Sequence, residues 1–440
     1  MTRRITHLPK NDRTLGWSAI LPPRQPKPAM QGDIRCDIVV IGAGYAGLGA
    51  ARRLAELRPN LDIVVIEADL AGENASGRNS GFAIDLPHNT GSSMEELAKG
   101  HAYMRLSRAG IASLKDTVTT HGIQCDWSED GKFHTATSQR GAEQVLKPTV
   151  EELDRLGETW RWLDRDETEA RLGTHHFTAS VHTPGTVLLN PAALTRGLAD
   201  TLPPNVRLFE NSPVIEADFG KTVTLKTPQG TVKADKAILG VNGMAMKFGF
   251  WKGKLLNFAA HASLSRVLTA EEQARIGNID PWGTTPANAF AGITMRYTND
   301  RRILIRQNIH FAPSMRVSDA TRARIFADHQ RLFDARFPKL RGVTMEHSWT
   351  GFICLSRNAT PGFGQVAPNV WSAVCQNAVG VSKGTISGRM AATMALGEDD
   401  PLLADMISLG TPNWVPPRPA LDIGVRARFA YEIFANRHEA

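Results

Sequence analysis

The chain has 440 residues, 42% of them hydrophobic and 22% charged, with 38 glycines and a formal net charge of +7. That is enough apolar material for one large core or two domains, and it excludes a disordered, fibrous or low-complexity chain. Four cysteines without metal-ligand spacing exclude a zinc or disulfide scaffold and fit a reducing, cytoplasmic setting. The basic residues are scattered, so no nucleic-acid partner is expected, and no apolar run is long enough for a membrane span.

Residues 1–31 are polar and contain Pro22, Pro23, Pro26 and Pro28, the pattern of an extended arm covering a sheet edge or a subunit contact, with Trp17 as its anchor. Arg3 and Arg4 have no apolar segment behind them, so no secretory or twin-arginine signal is expected. Asp37-Ile38-Val39-Val40-Ile41 is then continuous and β-branched, as in a strand buried on both faces. It enters Gly42-Ala43-Gly44-Tyr45-Ala46-Gly47 and a helix-forming run over 48–58 that Pro59 stops. Ile63-Val64-Val65-Ile66 is the second strand, and it ends on Glu67, 20 residues after Gly47. Each part has a physical task. Gly42 allows the tight turn out of the strand, Gly44 lets backbone approach a pyrophosphate, and Gly47 lets the helix pack on the strand. Free amides and the dipole at the helix start hold phosphate charge, while Glu67 can accept hydrogen bonds from an adenosine ribose. Strand, glycines, helix, strand and acid at this spacing predict a dinucleotide site.

On composition alone the next segment, 75–82, reads as a polar surface loop. Joined to Glu67-Ala68, however, Ala75-Ser76-Gly77-Arg78-Asn79-Ser80-Gly81 resembles a stretch of the D-amino-acid oxidase (DAO) superfamily of flavoproteins. The similar branch holds glycine and sarcosine oxidases and γ-glutamylputrescine-oxidase-like proteins. The resemblance implies FAD rather than NAD, with this loop along the diphosphate, the ribityl chain and the flavin ring. It also implies an α/β fold: a Rossmann-like FAD-binding domain with a discontinuous α+β substrate domain built on an antiparallel sheet.

Further along, 92–120 read as helix-rich, 121–137 carry strand character around Cys125-Asp126-Trp127 and Lys132-Phe133-His134, and 142–156 are again helical. Residues 185–191 lead into a helix over 192–202, similar to the family's return crossing into the flavin domain. A strand meander over 206–232 closes on a turn at Val241-Asn242-Gly243. In the family, backbone at the position of Val214 contacts adenine, and Asn242 and Gly243 resemble the strand end beneath the cofactor. From 248 to 343 the alternation is that of antiparallel strands, including 259–268, 292–297 and 303–308, with a helix over 320–337. The resemblance makes this a sheet laid over the flavin as a roof. Gly351 stands where the chain returns to the nucleotide domain. Gly380-Val381-Ser382-Lys383 then leads into a helix over 385–396 with Gly397 as its C-cap. The family aims this joint at the flavin; Ser382 and Lys383 depart from its commoner small apolar residues. The division implied is an FAD-binding unit over 32–120, 180–245 and 345–397, a substrate-binding unit over 121–179 and 246–344, and an extension over 398–440. The helix of that extension is a packing helix, a dimer helix in a homo-oligomer, or a membrane-surface helix.

The implied chemistry is C–N oxidation: hydride leaves the substrate's α-carbon for flavin N5, water hydrolyses the imine, and dioxygen or another acceptor takes the electrons. The protein then has only to place the amine and favour its neutral form. A substrate carboxylate wants an arginine fork. Arg296 and Arg306, with Tyr297 beside the first, lie on strands resembling the roof; they touch substrate or decorate an exposed strand face. Lys383 can serve the carboxylate or favour oxygen reduction, and Arg78 goes with the cofactor loop. Cys354 precedes Thr360-Pro361 as a flavin-linking cysteine does in some relatives, but with one residue too many, so non-covalent FAD and a buried structural thiol are expected. The expected substrate is an amino acid or, preferred, a carboxylated secondary amine such as an N-substituted glycine. The alternatives are a primary amine or polyamine derivative such as γ-glutamylputrescine, an RNA-modifying flavoprotein, and a non-catalytic flavin subunit. No fused methyltransferase or clustered basic face supports the RNA reading.

Overall fold

The structure, a computed structural model, describes residues 2–6, 12, 14–87 and 94–439. Parts of the expected arm, and the expected helix start at Ser92, lie outside the described residues. After a two-residue strand, Arg3–Arg4, and one helical turn, Gly16–Ala19, come β1 (Gly32–Ile41), α1 (Tyr45–Leu57) and β2 (Ile63–Ile66), then the long helix α2 (Met94–His121). β3 (Lys132–Ala136), β4 (Arg161–Leu163) and β5 (Ala179–Thr183) precede α3 (Pro191–Asp200). The meander is β6 (Val206–Phe209), β7 (Glu216–Phe219), β8 (Val223–Thr227) and β9 (Gly230–Leu239). Next are β10 (Leu255–Ser265), β11 (Trp282–Pro286), β12 (Thr294–Tyr297), β13 (Ile303–Phe311) and α4 (Asp319–Arg336). β14 (Met345–Ser356), β15 (Gly362–Ala367), β16 (Val370–Val374), α5 (Ser382–Leu396) and α6 (Ala420–Ala435) complete the order.

In the first sheet β16, β9, β1, β2 and β6 lie side by side and parallel, with β8 and β7 antiparallel beyond the first half of β9. Val39, Val40, Val64 and Val65 are wholly buried, because both faces of this sheet are covered. On one face α1 and α5 cross so closely that a Cβ on Gly388 would stand 1.8 Å from the Ala46 carbonyl oxygen. Only glycine permits that approach.

The second sheet runs β14, β10, β13, β12, β11, β3, β5, β4, and its pairings are antiparallel except β11 with β3. α4 seals its outer face, where Phe333 and Phe337 join Trp282, Met295 and Tyr297 in one core. Ala260 and Ala262, by contrast, face inward. Two expected boundaries shift. β5 pairs with β3 and β4, and β14 pairs with β10 along its length, so the chain leaves the roof after Thr183 and Ser356 rather than at 180 and 345. Strand character at Cys125–Trp127 gives only an isolated bridge from Ser128 to Leu188, and 142–146 form a π-helical turn ahead of the α-helix Lys147–Leu156. α6 lies on the roof through Phe429, which stacks 5.1 Å from Phe258 and meets Phe290 at 4.8 Å, while Ile423, Tyr431 and Phe434 face outward. No described helix is long and apolar enough to cross a membrane.

Candidate active site

Between the two sheets lies a cleft of about 340 Å³, within the size range of small-molecule sites. One end of it is the turn out of β1. Gly42 has φ +99°, a region open to glycine, and a Cβ on Gly47 would stand 1.8 Å from the Gly42 carbonyl oxygen. Gly44 differs, since a Cβ there would meet only Ser76 at 3.8 Å. No side chain caps α1, which leaves its first amides to a ligand. Glu67 lines the same end and accepts from the Ala43 amide at 2.7 Å and the Asp69 amide at 3.1 Å. Burial pushes its carboxyl up, against the pull of those amides.

The long wall is the loop over 68–81. Ala68, Ala75, Ser76, Arg78, Asn79 and Ser80 line the cleft; Gly77 and Gly81 do not. These two let the loop fold on its support: a Cβ on Gly77 would meet the Gly72 oxygen at 1.7 Å, and one on Gly81 the Leu189 oxygen at 2.1 Å. The described part of the N-terminal arm straps this loop. Arg78 Nη1 donates to Asp12 Oδ1 at 2.5 Å and to the Thr350 carbonyl at 2.9 Å, while Asp12 Oδ2 accepts from the Thr350 amide at 2.9 Å. Burial acts to raise the Asp12 carboxyl, but Arg78 outweighs it and holds the group below its ordinary value. Trp17 is the expected anchor: it is buried, donates from Nε1 to the Asn79 carbonyl at 2.9 Å, and packs against Trp349. Asp12→Ala leaves Arg78 buried without its counter-charge, a loss of about 3 kcal/mol. The loss is read as a lowered melting temperature in thermal melts of the variant beside the parent protein.

Val214, Asn242, Gly243 and Gly351 complete the floor and side. At the second glycine-rich joint the cleft meets Gly380, Val381 and Gly384, whereas Ser382 and Lys383 turn away. Ser382 Oγ donates to the Ile84 carbonyl at 2.6 Å. Lys383 is 1% exposed, with its Nζ 4.7 Å over the Tyr103 ring, and burial lowers its ammonium to about 8. The helical period decides this, since 380, 381 and 384 share the cleft side. Lys383 therefore belongs to the α2–α5 interface rather than to the substrate.

The roof supplies Thr285 on β11, Thr294 on β12, and Arg306 and Ile309 on β13. Arg306 Nη2 donates to Thr294 Oγ1 at 2.6 Å, while Nη1 is buried with no partner among the described residues. Burial lowers its guanidinium to about 10. Arg296 has another task. Its Nη1 donates to the carbonyls of Gly81 at 3.0 Å and Leu189 at 2.5 Å, beside the rings of Trp17 and Phe82, so it clamps the cofactor loop from outside the cleft. Tyr297 points to the opposite face of β12, into the α4 core against Trp282, and takes no part in the cleft. Cys354 and Cys375 both line the cleft; the Cys375 thiol beside it, together with burial, holds the Cys354 thiol well above its ordinary value. Sequence reasoning missed Thr285, Thr294, Gly384 and Gln376, whose buried Oε1 has no partner among the described residues. For the threonines the strand alternation shared with Arg306 was the available signal.

These residues fit a dinucleotide flavin: uncapped amides and an acid at one end, a long wall of mostly short side chains, and unpartnered buried polar atoms at the other. The family described as FAD dependent oxidoreductase (DAO) matches residues 37–394. Probable oxidoreductase OrdL of Haemophilus influenzae is 24% identical over 410 residues, covering 91% of this chain and 92% of its own length. The gamma-glutamylputrescine oxidoreductase of Escherichia coli is 25% identical over 392 residues, covering 85% and 86%. The glycine oxidase from Geobacillus kaustophilus shares the fold with a TM-score of 0.69 at 17% identity, over 87% of this chain and 100% of that one.

Proposed function

This chain belongs to the DAO family of FAD-dependent oxidoreductases, and from that premise we propose that it oxidises the C–N bond of a carboxylated amine, an N-substituted glycine or a related amino acid. One observation carries the reading. Arg306 lines the cleft with a buried, unpartnered N–H and no acid beside it. An unpaired buried cation is costly unless an anion completes it, and a substrate carboxylate does so.

In this reading the turn Gly42 to Gly47 and Glu67 hold the adenosine diphosphate part of FAD. Ala68 and the loop 75–81 run along it, Val214, Asn242, Gly243 and Gly351 line it, and Gly380 and Val381 present the start of α5. When bound, the flavin takes two electrons from the C–N centre and passes them to dioxygen or another acceptor. The chain's own residues place the substrate. Arg306, held by Thr294, fixes the carboxylate and hence the orientation of the α-carbon. Its charge also disfavours the protonated amine nearby, which helps the reactive neutral form without a general base. That matters because the titratable groups among the lining residues are Tyr45, Glu67, Arg78, Arg306, Cys354 and Cys375. Ile309, Met315 and Phe352 limit water at the same end.

A γ-glutamyl amine is the second reading, favoured by the similarity to the Escherichia coli protein named for that substrate. It too offers Arg306 a carboxylate. Adding both classes anaerobically to the holoenzyme and following loss of the flavin visible band separates them, and a flavin reduced by neither overturns the proposal. The protonated, buried Cys354 thiol favours non-covalent FAD. Acid precipitation is accordingly expected to release all the yellow colour, and Cys354→Ser to keep full flavin content; retained colour in the pellet contradicts this.

A further inference from the structure

The roof holds a second cation that the reading above does not use. β11 and β12 pair as far as Thr284 opposite Met295, and Thr285 and Thr294 follow just beyond that last paired rung. Both threonines line the cleft, and each hydroxyl oxygen accepts from a buried cation. Thr294 Oγ1 accepts from Arg306 Nη2 at 2.6 Å, and Thr285 Oγ1 accepts from Lys132 Nζ at 3.4 Å. A hydroxyl that accepts from a cation turns its own hydrogen elsewhere, and neither hydroxyl donates to a described residue. Two hydroxyls on cleft-lining threonines, and the buried Arg306 Nη1, are thus left without a described acceptor.

Lys132 stands on β3, 8% exposed, and burial lowers its ammonium to about 8. Asp85 is the acid that counters this shift, but it forms no ion pair with Lys132. Its oxygens take Thr186 Oγ1 at 3.2 Å and Arg108 Nη2 at 3.4 Å instead. A lysine in this position without a paired carboxylate leaves charge to be completed by a ligand.

We propose that Thr285, backed by Lys132, is a second anion subsite, and that the preferred substrate is a short dicarboxylic amine with one carboxylate on Arg306 and Thr294 and the other on Thr285. This rests on Arg306 being the first carboxylate anchor. Anchors on adjacent strands suit a short diacid with one to three chain atoms, the amine nitrogen able to be one of them, between its carboxylates.

The test uses the holoenzyme with non-oxidisable acids of matched length. Glutarate and butyrate are titrated anaerobically while the flavin visible band is followed. Glutarate is expected to bind at least about tenfold more tightly, one charge-assisted hydrogen bond's worth of discrimination. Lys132→Met and Thr285→Val each remove that preference and leave butyrate binding unchanged, whereas Lys132→Arg keeps it. Equal binding of the two acids by the wild-type protein overturns the subsite, as does a preference that survives in both loss variants. Should Lys132→Met fail to hold flavin, Thr285→Val and the wild-type comparison decide. If monocarboxylated amines still bleach the flavin while the two acids bind equally, only the second subsite fails; if no carboxylated amine bleaches it, the Arg306 reading has failed first.

Discussion

Arg306→Met lowers kcat/KM for a carboxylated amine by about a hundred- to a thousandfold while FAD stays bound. The loss corresponds to about 3–4 kcal/mol, the cost of removing one side of a buried charge pair that exists only with substrate. Methionine keeps much of the side chain's length and fills the space against Thr294, so the roof retains its shape. Folding should move the other way. The guanidinium's folded value, about 10, lies below its ordinary value because of burial. At neutral pH both folded and unfolded forms are charged, and the folded form carries the desolvation penalty. Removing that unpaired charge leaves the melting temperature of the ligand-free holoenzyme unchanged or raised. Lost activity with retained stability marks a group kept for its ligand. A fall in both would instead make Arg306 a structural residue. Arg296→Met supplies the contrast, since its Nη1 serves the Gly81 and Leu189 carbonyls; stability and FAD affinity are expected to drop together there.

Gly47→Val has the largest expected effect on the cofactor. Its Cβ would stand 1.8 Å from the Gly42 carbonyl oxygen and 3.4 Å from Val40 Cγ1, and the first of these is backbone that cannot swing aside. Helix α1 has to lift off β1, opening the buried layer between them at about 3 kcal/mol or more. The protein is expected to be purified without flavin and with a markedly lower melting temperature. Gly44→Ala separates the two tasks of the turn. A methyl there meets only Ser76 at 3.8 Å, so folding is unaffected while the approach to the pyrophosphate is obstructed. FAD binding measured by fluorescence quenching, beside thermal melts of both variants, distinguishes them.

The nucleotide end was legible because its constraints are local. Gly42, Gly44, Gly47 and Glu67 lie within one strand–helix–strand unit, and Gly42 and Gly47 are demanded by the turn and the helix approach inside that unit. The roof was legible as strands but not as a site. Arg296 and Arg306 occupy equivalent inward positions on adjacent strands, yet Arg296 is captured by the carbonyls of Gly81 and Leu189, which its own strand does not reveal. Tyr297 alternates to the other face as strand geometry requires. Ser382 and Lys383 stand beside Gly380 and Val381 in sequence, and only the helix phase sends them to α2 and Ile84. The late boundaries at Thr183 and Ser356 have the same origin, because which strand pairs with β3 or β10 is a long-range choice. Asp12 belongs with these. Nothing around it in sequence points to a buried arginine 66 positions away.

The carboxylate anchor is the claim on which the functional reading turns, and one comparison tests it most directly. Wild-type and Arg306→Met holoenzymes, both freed of oxygen, are mixed with an N-substituted glycine and with the matching amine lacking the carboxylate, and flavin bleaching is timed. The account predicts fast bleaching only for wild type with the carboxylated amine, and slow, equal bleaching in the other three mixtures. Equal rates for the two amines in the wild-type protein would contradict it.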